Sequence, residues 1–313
     1  MTTLTAPARR PRSFRRWYSD KGYWLALMAP VLIFLLAAQF YPLLETIRIG
    51  FTNETATAPG ETEWVGFDNY SQLLREDPRF WQIFRNSIFW VLGSVVLQLV
   101  LGTLAALVLN LSLRLRALWR GLLMVPWVTP VVVVAIIWRW LFQGGESGLI
   151  NHYLGRVGII DDPIVFLASD VWVWPVLLLA STWKGLPFAA LLILAALQSL
   201  PKEVQESAAM DGANAIQRFW HVTLPHLQPT LFVTGMTSLV TTWFKFEIIW
   251  ALTNGGPGFA TSILPTYVYT FAFQRFQFGT AGSVATIAMV IVLVLAAIVA
   301  LLFGERRQKG ASR

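Results

Sequence analysis

The 313-residue chain has no cysteine and only three histidines. Disulfides, thiolate metal sites and thiol catalysis are therefore excluded. Charge is scarce, with Asp, Glu, Lys and Arg together making 13% of the residues. No GxxxxGK[ST] occurs, so the chain does not cradle nucleotide phosphates by the P-loop route. Alternation of apolar and polar residues is lacking too. The apolar runs are continuous, which excludes a β-barrel. No tandem repeat or low-complexity stretch stands out.

Hydrophobic residues make up 56% of the chain, more than a soluble domain of this length covers in one core. Several runs exceed the length needed to cross a bilayer. The fold class is therefore an all-α polytopic membrane protein. Fifteen Trp residues suit a molecule with many water–lipid interfaces. The net charge of +7 is read as positive cytoplasmic flanks and not as nucleic-acid binding.

Residues 1–22 form a basic tail carrying Arg9, Arg10, Arg12, Arg15, Arg16 and Lys21. The uncharged run 23–44 is too long for a signal-peptide core and ends in Tyr41-Pro42 without a small-residue cleavage site, so it reads as an uncleaved first span. Residues 45–85 hold more acids than bases and suit the outer face. Residues 86–303 form the core domain and hold the remaining five spans. Span two covers 86–113, followed by the basic turn of Arg114, Arg116 and Arg120. Span three, 121–142, contains Pro126 and Pro130, which remove backbone donors and predict a kink or a discontinuity. Loop 143–170 carries Asp161, Asp162 and Asp170 against Arg156 and is expected outside. Span four runs over about 171–200, span five over about 229–252 and span six over about 283–303, with a basic tail at 304–313. Six spans put both termini in the cytoplasm, and every loop agrees with the charge bias.

One segment is too structured for a simple turn. Residues 203–229, EVQESAAMDGANAIQRFWHVTLPHLQP, lie on the expected cytoplasmic side. Pro201 can open a helix, and Glu203 and Glu206 suit its positive end. Ala209, Gly212, Ala213, Ile216 and Trp220 recur at helical spacing and predict one face with small residues at its middle. A surface helix resting on lipid headgroups is one reading. Against it, the face is narrow, rich in Ala and Gly, and poor in Lys. The other reading is a knob that docks into a cytoplasmic partner, with Gly212 at a close-packed contact. His221 and His226, five apart around Pro225, have poor spacing for a metal.

The order Glu206, Ala208, Asp211-Gly212-Ala213, Phe219, Val222, Leu224-Pro225 resembles the EAA loop of ABC importer permeases, the inner-membrane components of binding-protein-dependent transport. The chain reads ESAAMDGANAIQRFWHVTLP and departs at Ser207, where the family usually has Ala. GFDNY at 66–70, WKGLPF at 183–188 and LTNGGPG at 252–258 are similar to the carbohydrate subclass that includes the maltose and glycerol-phosphate permeases. Within it the chain resembles the maltose-permease type of partner.

That resemblance implies a six-span permease in a prokaryotic plasma (inner) membrane. It implies a heterodimer with a second permease subunit, an ATPase dimer, an extracytoplasmic solute-binding protein and a carbohydrate substrate. ATP and Mg would be bound by the ATPase, so this chain needs no cofactor or metal and is not an enzyme. Glu206, Ala208, Ala209, Asp211, Gly212, Ala213, Ile216 and Phe219 would form the ATPase-coupling helix. Trp127, Ser181, Lys184, Gly185, Thr242 and Lys245 match the sugar-contacting positions. The competing class is a stand-alone secondary transporter. It would need intramembrane carboxylates, and Glu247 alone is available.

A lysine at mid-span costs about 2.5–3.5 kcal/mol even on the mild insertion scale, so Lys184 and Lys245 should face a cavity or a partner. Two readings of them stay open. Each could pair with a carboxylate or a carbonyl, Glu247 being a nearby candidate if the span is bent. Alternatively, both could hold an anionic group on the substrate. Trp183, Phe244 and Phe246 could line the same path or simply pack.

Overall fold

The computed structural model describes residues 24, 27–58, 60–112 and 114–311, the stretch 302–311 by its backbone alone. The basic tail 1–22 lies outside the described residues. Described residues form helices joined by loops, with two isolated β-bridges, Thr52 to Trp64 and Thr55 to Gln277. Among the described residues four helices are long and apolar enough to cross a membrane, or five when one bent pair is counted as a span.

Helix α1, Leu27–Ile49, buries none of its residues in the described chain. It runs five residues past the end expected at Leu44, because Pro42 sits at a helical N-terminal position, where its missing N–H costs nothing. Arg48 then pairs with Glu45 one turn back at 2.6 Å, so both charges expected in a loop are helical. α2, Phe80–Asn110, begins six residues before the expected 86, with Arg85 inside it. α12, Phe278–Ala311, continues past the Phe303 end expected for span six.

Span three is two helices, α3 (Arg116–Val128) and α4 (Val131–Leu141), bent by 95°. Thr129 is extended and Pro130 caps α4, so the discontinuity expected from the prolines falls at Pro130, while Pro126 stays inside α3. A short helix, α5 (Leu149–Arg156), follows, and Asn151 ties its loop together through the carbonyls of Gln143 and Ile164.

α6, Val173–Gln198, packs along α2. A Cβ on Gly93 would meet Leu178, one on Gly185 would meet Gln98, and one on Gly102 would meet Ala189. The numbers climb together, so the two helices run parallel. The glycines let them approach closely, as small residues do between membrane helices. Trp90, Val95, Leu177, Ala180 and Trp243 fill the core beside this seam.

After α6, the amphipathic segment is not one helix. α7 (Lys202–Met210) stops at Asp211, and α8 (Ala215–Arg218) starts after Asn214. The single face expected from Ala209 through Trp220 is therefore broken in its middle. A π-turn, Phe219–Thr223, leads into α9, Leu224–Phe244, with Pro225 in its first turn and Pro229 inside it. Span five is also interrupted. Lys245 is extended, and α10, Glu247–Thr253, restarts beyond Phe246.

One end of the bundle is closed by α11, Leu264–Tyr269, and its flanking loop. Tyr267 donates to Asp77, and burial together with that bond pushes its phenol pKa well above the ordinary range. Asn86 Nδ2 donates to the carbonyls of Ala260 at 2.9 Å and Ser262 at 3.0 Å, and Ser87 Oγ accepts from Leu264 N at 2.8 Å. The start of α2 thus holds the loop from two adjacent residues. Asn86→Ala leaves those carbonyls unpaired, at about 1–3 kcal/mol. Hydrogen exchange in residues 254–264 is expected to accelerate at least tenfold, with exchange in α6 unchanged.

Candidate functional site

A cavity of about 430 Å³ opens where α2, α3, α6, α9 and α10 meet. Its walls include Trp127, Ser181, Lys184, Gly185, Thr242 and Lys245, all six of the pathway residues expected from sequence. Gln98, Phe188, Ser238, Thr241 and Glu247 complete the polar and aromatic lining. Two larger grooves, about 660 and 680 Å³, run along α2. Their lining is almost wholly hydrocarbon, so they suit lipid or another helix and not a hydrophilic solute.

The cavity exists because two helices stop short. At the end of α3 the carbonyls of Trp127 and Thr129 lose their intrahelical partners. Lys184 Nζ reaches across from α6 and donates to Thr129 O at 2.6 Å and, less closely, to Trp127 O at 3.5 Å. Its partner is thus a freed carbonyl and not Glu247. Arg139, on α4, caps a helix end in the same way, donating to Ala251 O at 2.7 Å and Leu252 O at 3.3 Å at the end of α10.

Lys245 differs from Lys184. It is exposed to the cavity and, among the described residues, its ammonium makes neither a hydrogen bond nor an ion pair. Glu247 is in the same position. Trp127 lies nearly parallel to Phe188, with planes 12° apart and centroids at 6.5 Å. Their flat faces suit the C–H face of a sugar ring. The Ser181, Ser238 and Thr242 hydroxyls are free to meet a solute, while Thr241 already donates to Ser238 O at 3.3 Å. Trp183 turns away and packs edge-on against Trp138, and Phe246 tilts over Tyr269, so neither lines the cavity.

Sequence reading missed Gln98 and Arg139. Arg139 was a charge inside an apolar run, the same signal that singled out Lys184. Gln98 is the one amide in the middle of span two, between Asn86 and Asn110 at its ends. It carries no charge and hardly alters the hydropathy of the run.

The interrupted segment lies at the opposite end from Asn86. α7 ends in a Schellman turn, with Ala213 N bonded to Ala208 O at 3.0 Å and Gly212 N to Ala209 O at 3.1 Å. Gly212 takes φ +86°, which L side chains rarely adopt. A Cβ there would meet nothing in this chain, so the turn itself requires the glycine. Asn214 and Gln217 then form a reciprocal capping box that starts α8. Glu206, Ala209, Asp211 and Ile216 are exposed, while Ala208, Ala213 and Phe219 are half-buried. Met210 is 89% exposed and Ile216 71%, so two apolar tips flank the turn. Ser207 Oγ donates to Glu203 O at 2.7 Å, which explains why a hydroxyl is tolerated where the family has Ala. His226 Nε2 lies 3.1 Å from Ser199 Oγ and 3.2 Å from Ala196 O, fastening the start of α9 to the end of α6. Among the described residues no group of three or more metal-ligating side chains gathers.

Residues 98–309 match the family described as binding-protein-dependent transport system inner membrane component. The sulfoquinovosyl glycerol transport system permease of Agrobacterium fabrum is 32% identical, over 88% of this chain and 89% of its own length. The trehalose/maltose transport system permease of Thermococcus litoralis is 31% identical, over 87% and 90%. In fold the chain is similar to a subunit of a crystallised bacterial ABC transporter that imports the acidic polysaccharide alginate, with a TM-score of 0.78 at 24% identity, over 93% of this chain and 99% of that one. The chain thus belongs to the inner-membrane permease components of binding-protein-dependent transport systems.

Proposed function

We propose that this permease forms half of a translocation path for a sugar in an ATP-driven importer, with the 430 Å³ cavity as its solute site. As a member of its family it is a transport subunit and not an enzyme. The observation that carries the reading is the meeting of a flat aromatic pair, three free hydroxyls and one free lysine in a single cavity inside the bundle. Stacking faces with hydroxyl-sized donors and acceptors are what a saccharide needs.

In this reading α9 and α10 are the two parts of span five, which brings the count to six, both termini are cytoplasmic, and the loops around 50–79, 143–172 and 254–277 face outward to a solute-binding protein. A second permease subunit completes the path. An ATPase dimer, which binds ATP and Mg, receives α7, the glycine turn and α8. Its contacts are the apolar tips Met210 and Ile216 together with the residues of the EAA pattern, Glu206 through Phe219. Gly212 shapes the turn that presents them.

Acidic substituents on the sugar would be held by Lys245. Lys184 is committed to the α3 end, and Glu247 leaves the cavity only weakly positive.

Two experiments test the reading in the assembled importer. Met210→Asp and Ile216→Asp place charges on the docking tips and touch nothing in the cavity. Each is expected to lower uptake at least tenfold, while the permease is inserted at normal levels and stimulation of ATP hydrolysis by the loaded binding protein is lost. Normal coupling in both would remove the docking role. Uptake by the chain reconstituted without an ATPase would instead support a secondary transporter.

In the second experiment, uptake of maltose and of the sulfonated sulfoquinovosyl glycerol is compared. Lys184→Met frees the α3 carbonyls and is expected to impair both about equally. Lys245→Met is expected to cost the sulfonate about tenfold more than maltose, close to 1.4 kcal/mol of selective binding. Equal loss in Lys245→Met would show that Lys245 holds the wall and not the anion.

A further inference from the structure

We infer that Gln98 is a substrate-reading residue, and that Gly185 is a glycine in order to seat its amide in the cavity. The inference rests on the sugar-path reading of that cavity. Gln98 lies near the middle of α2 and is 5% exposed, yet it lines the cavity. Among the described residues its amide has no hydrogen-bond partner. Its donors and acceptor face the cavity, where a ligand can supply the missing bonds.

Its position is set from α6. A Cβ on Gly185 would stand 2.5 Å from Gln98 Cδ, 2.6 Å from Nε2 and 2.7 Å from Oε1. All three are closer than real Cβ contacts, so the amide lies flat in the space a side chain would take. Gly185 has no positive φ to require a glycine, which leaves this close approach as its reason.

No internal network absorbs the amide. One turn away on α2, Ser94 Oγ is fully buried without a partner. One turn before Gly185 on α6, Thr182 Oγ1 is also buried and unpaired. Hydroxyls elsewhere on α2 behave differently. Ser87 donates to Ile83 O at 2.8 Å and Thr103 to Leu99 O at 2.7 Å, the ordinary return bond to the preceding turn. Ser94 and Thr182 thus leave the amide of Gln98 without a hydroxyl partner from either helix. A primary amide offers a donor and an acceptor side by side, which matches adjacent sugar hydroxyls and would serve an anionic group less well.

The test uses the assembled importer in proteoliposomes with saturating binding protein, supplied with maltose, trehalose or sulfoquinovosyl glycerol. Gln98→Met keeps the volume and removes the hydrogen bonds. It is expected to lower uptake of the best-transported sugar at least tenfold, with normal yield of the assembled complex. Gly185→Ala displaces the amide and should give a similar loss. Adding Gln98→Ala to Gly185→Ala should cost no more than either change alone, because the two act through one contact. Uptake within twofold of wild type for Gln98→Met would show that the glutamine only packs, and would overturn the inference. Trp127→Ala separates this from failure of the parent reading. If it lowers uptake while Gln98→Met does not, the cavity carries sugar and Gln98 does not read it. If neither does, or if none of the three sugars is taken up, the sugar reading of the cavity falls and this inference falls with it.

Discussion

Backbone carbonyls cannot be left unpaired inside a bilayer, and the rest of this structure depends on how that constraint is met. A cavity large enough for a solute requires helices that stop or turn at mid-membrane. Each stop frees carbonyls. Lys184 meets the stop at the end of α3, and Arg139 caps the far end of α10, beyond the second stop, in the same way. Hydrogen bonds to charged groups contribute roughly 1.5–3 kcal/mol each, comparable to the cost of putting a lysine or arginine in a membrane helix. Two liabilities, a cation in an apolar helix and an orphan carbonyl, offset each other at the end of α3. The 95° turn at Thr129-Pro130 is stable for this reason, and it swings Trp127 into the cavity wall.

This pairing also shows what was legible in the sequence. Lys184 drew attention because a charge interrupts an apolar run, and Pro130 because proline cannot continue a helix. Neither tells that the lysine bonds a carbonyl 55 residues earlier, since that contact depends on the packing of α6 against α3. The break at Lys245-Phe246 has no Pro or Gly to mark it, so span five read as continuous. Gln98 went unseen because an uncharged amide barely disturbs hydropathy, and its seat is defined by what Gly185 lacks. Convergence of Trp127, Ser181, Lys184, Gly185, Thr242 and Lys245 came from resemblance to a family. Spacing along separate helices carries no such information.

The amphipathic segment was legible in its motif and misread in its geometry. Helical spacing from Ala209 to Trp220 suggested one continuous face, yet Asp211-Gly212-Ala213 is a helix-stop sequence and Asn214 with Gln217 a helix-start sequence. Local capping outweighs periodicity here because neither helix gains much by burying a face against the rest of the chain. A small residue at a docking contact and a glycine at a left-handed turn look alike in sequence. The φ of +86° gives Gly212 a conformational reason within the chain itself, whatever docks on it.

Cavity and turn share one mechanical element. α9 begins beside the turn, where His226 fastens it to the end of α6, and ends at Lys245 in the cavity wall. Its 21 residues span roughly 30 Å at 1.5 Å per residue. Ser238, Thr242 and Lys245 all sit on its last two turns or just beyond. On the proposed reading, a partner that pulls the turn sideways moves these groups without any relay of side chains, since a packed helix transmits displacement as a body. The opposite wall is α2 against α6, a seam tightened by Gly93, Gly102 and Gly185, which resists the same motion. On that reading the cavity changes shape when α9, which carries Ser238 and Thr242 and leads into Lys245, shifts relative to the seam that carries Gln98 and Gly185.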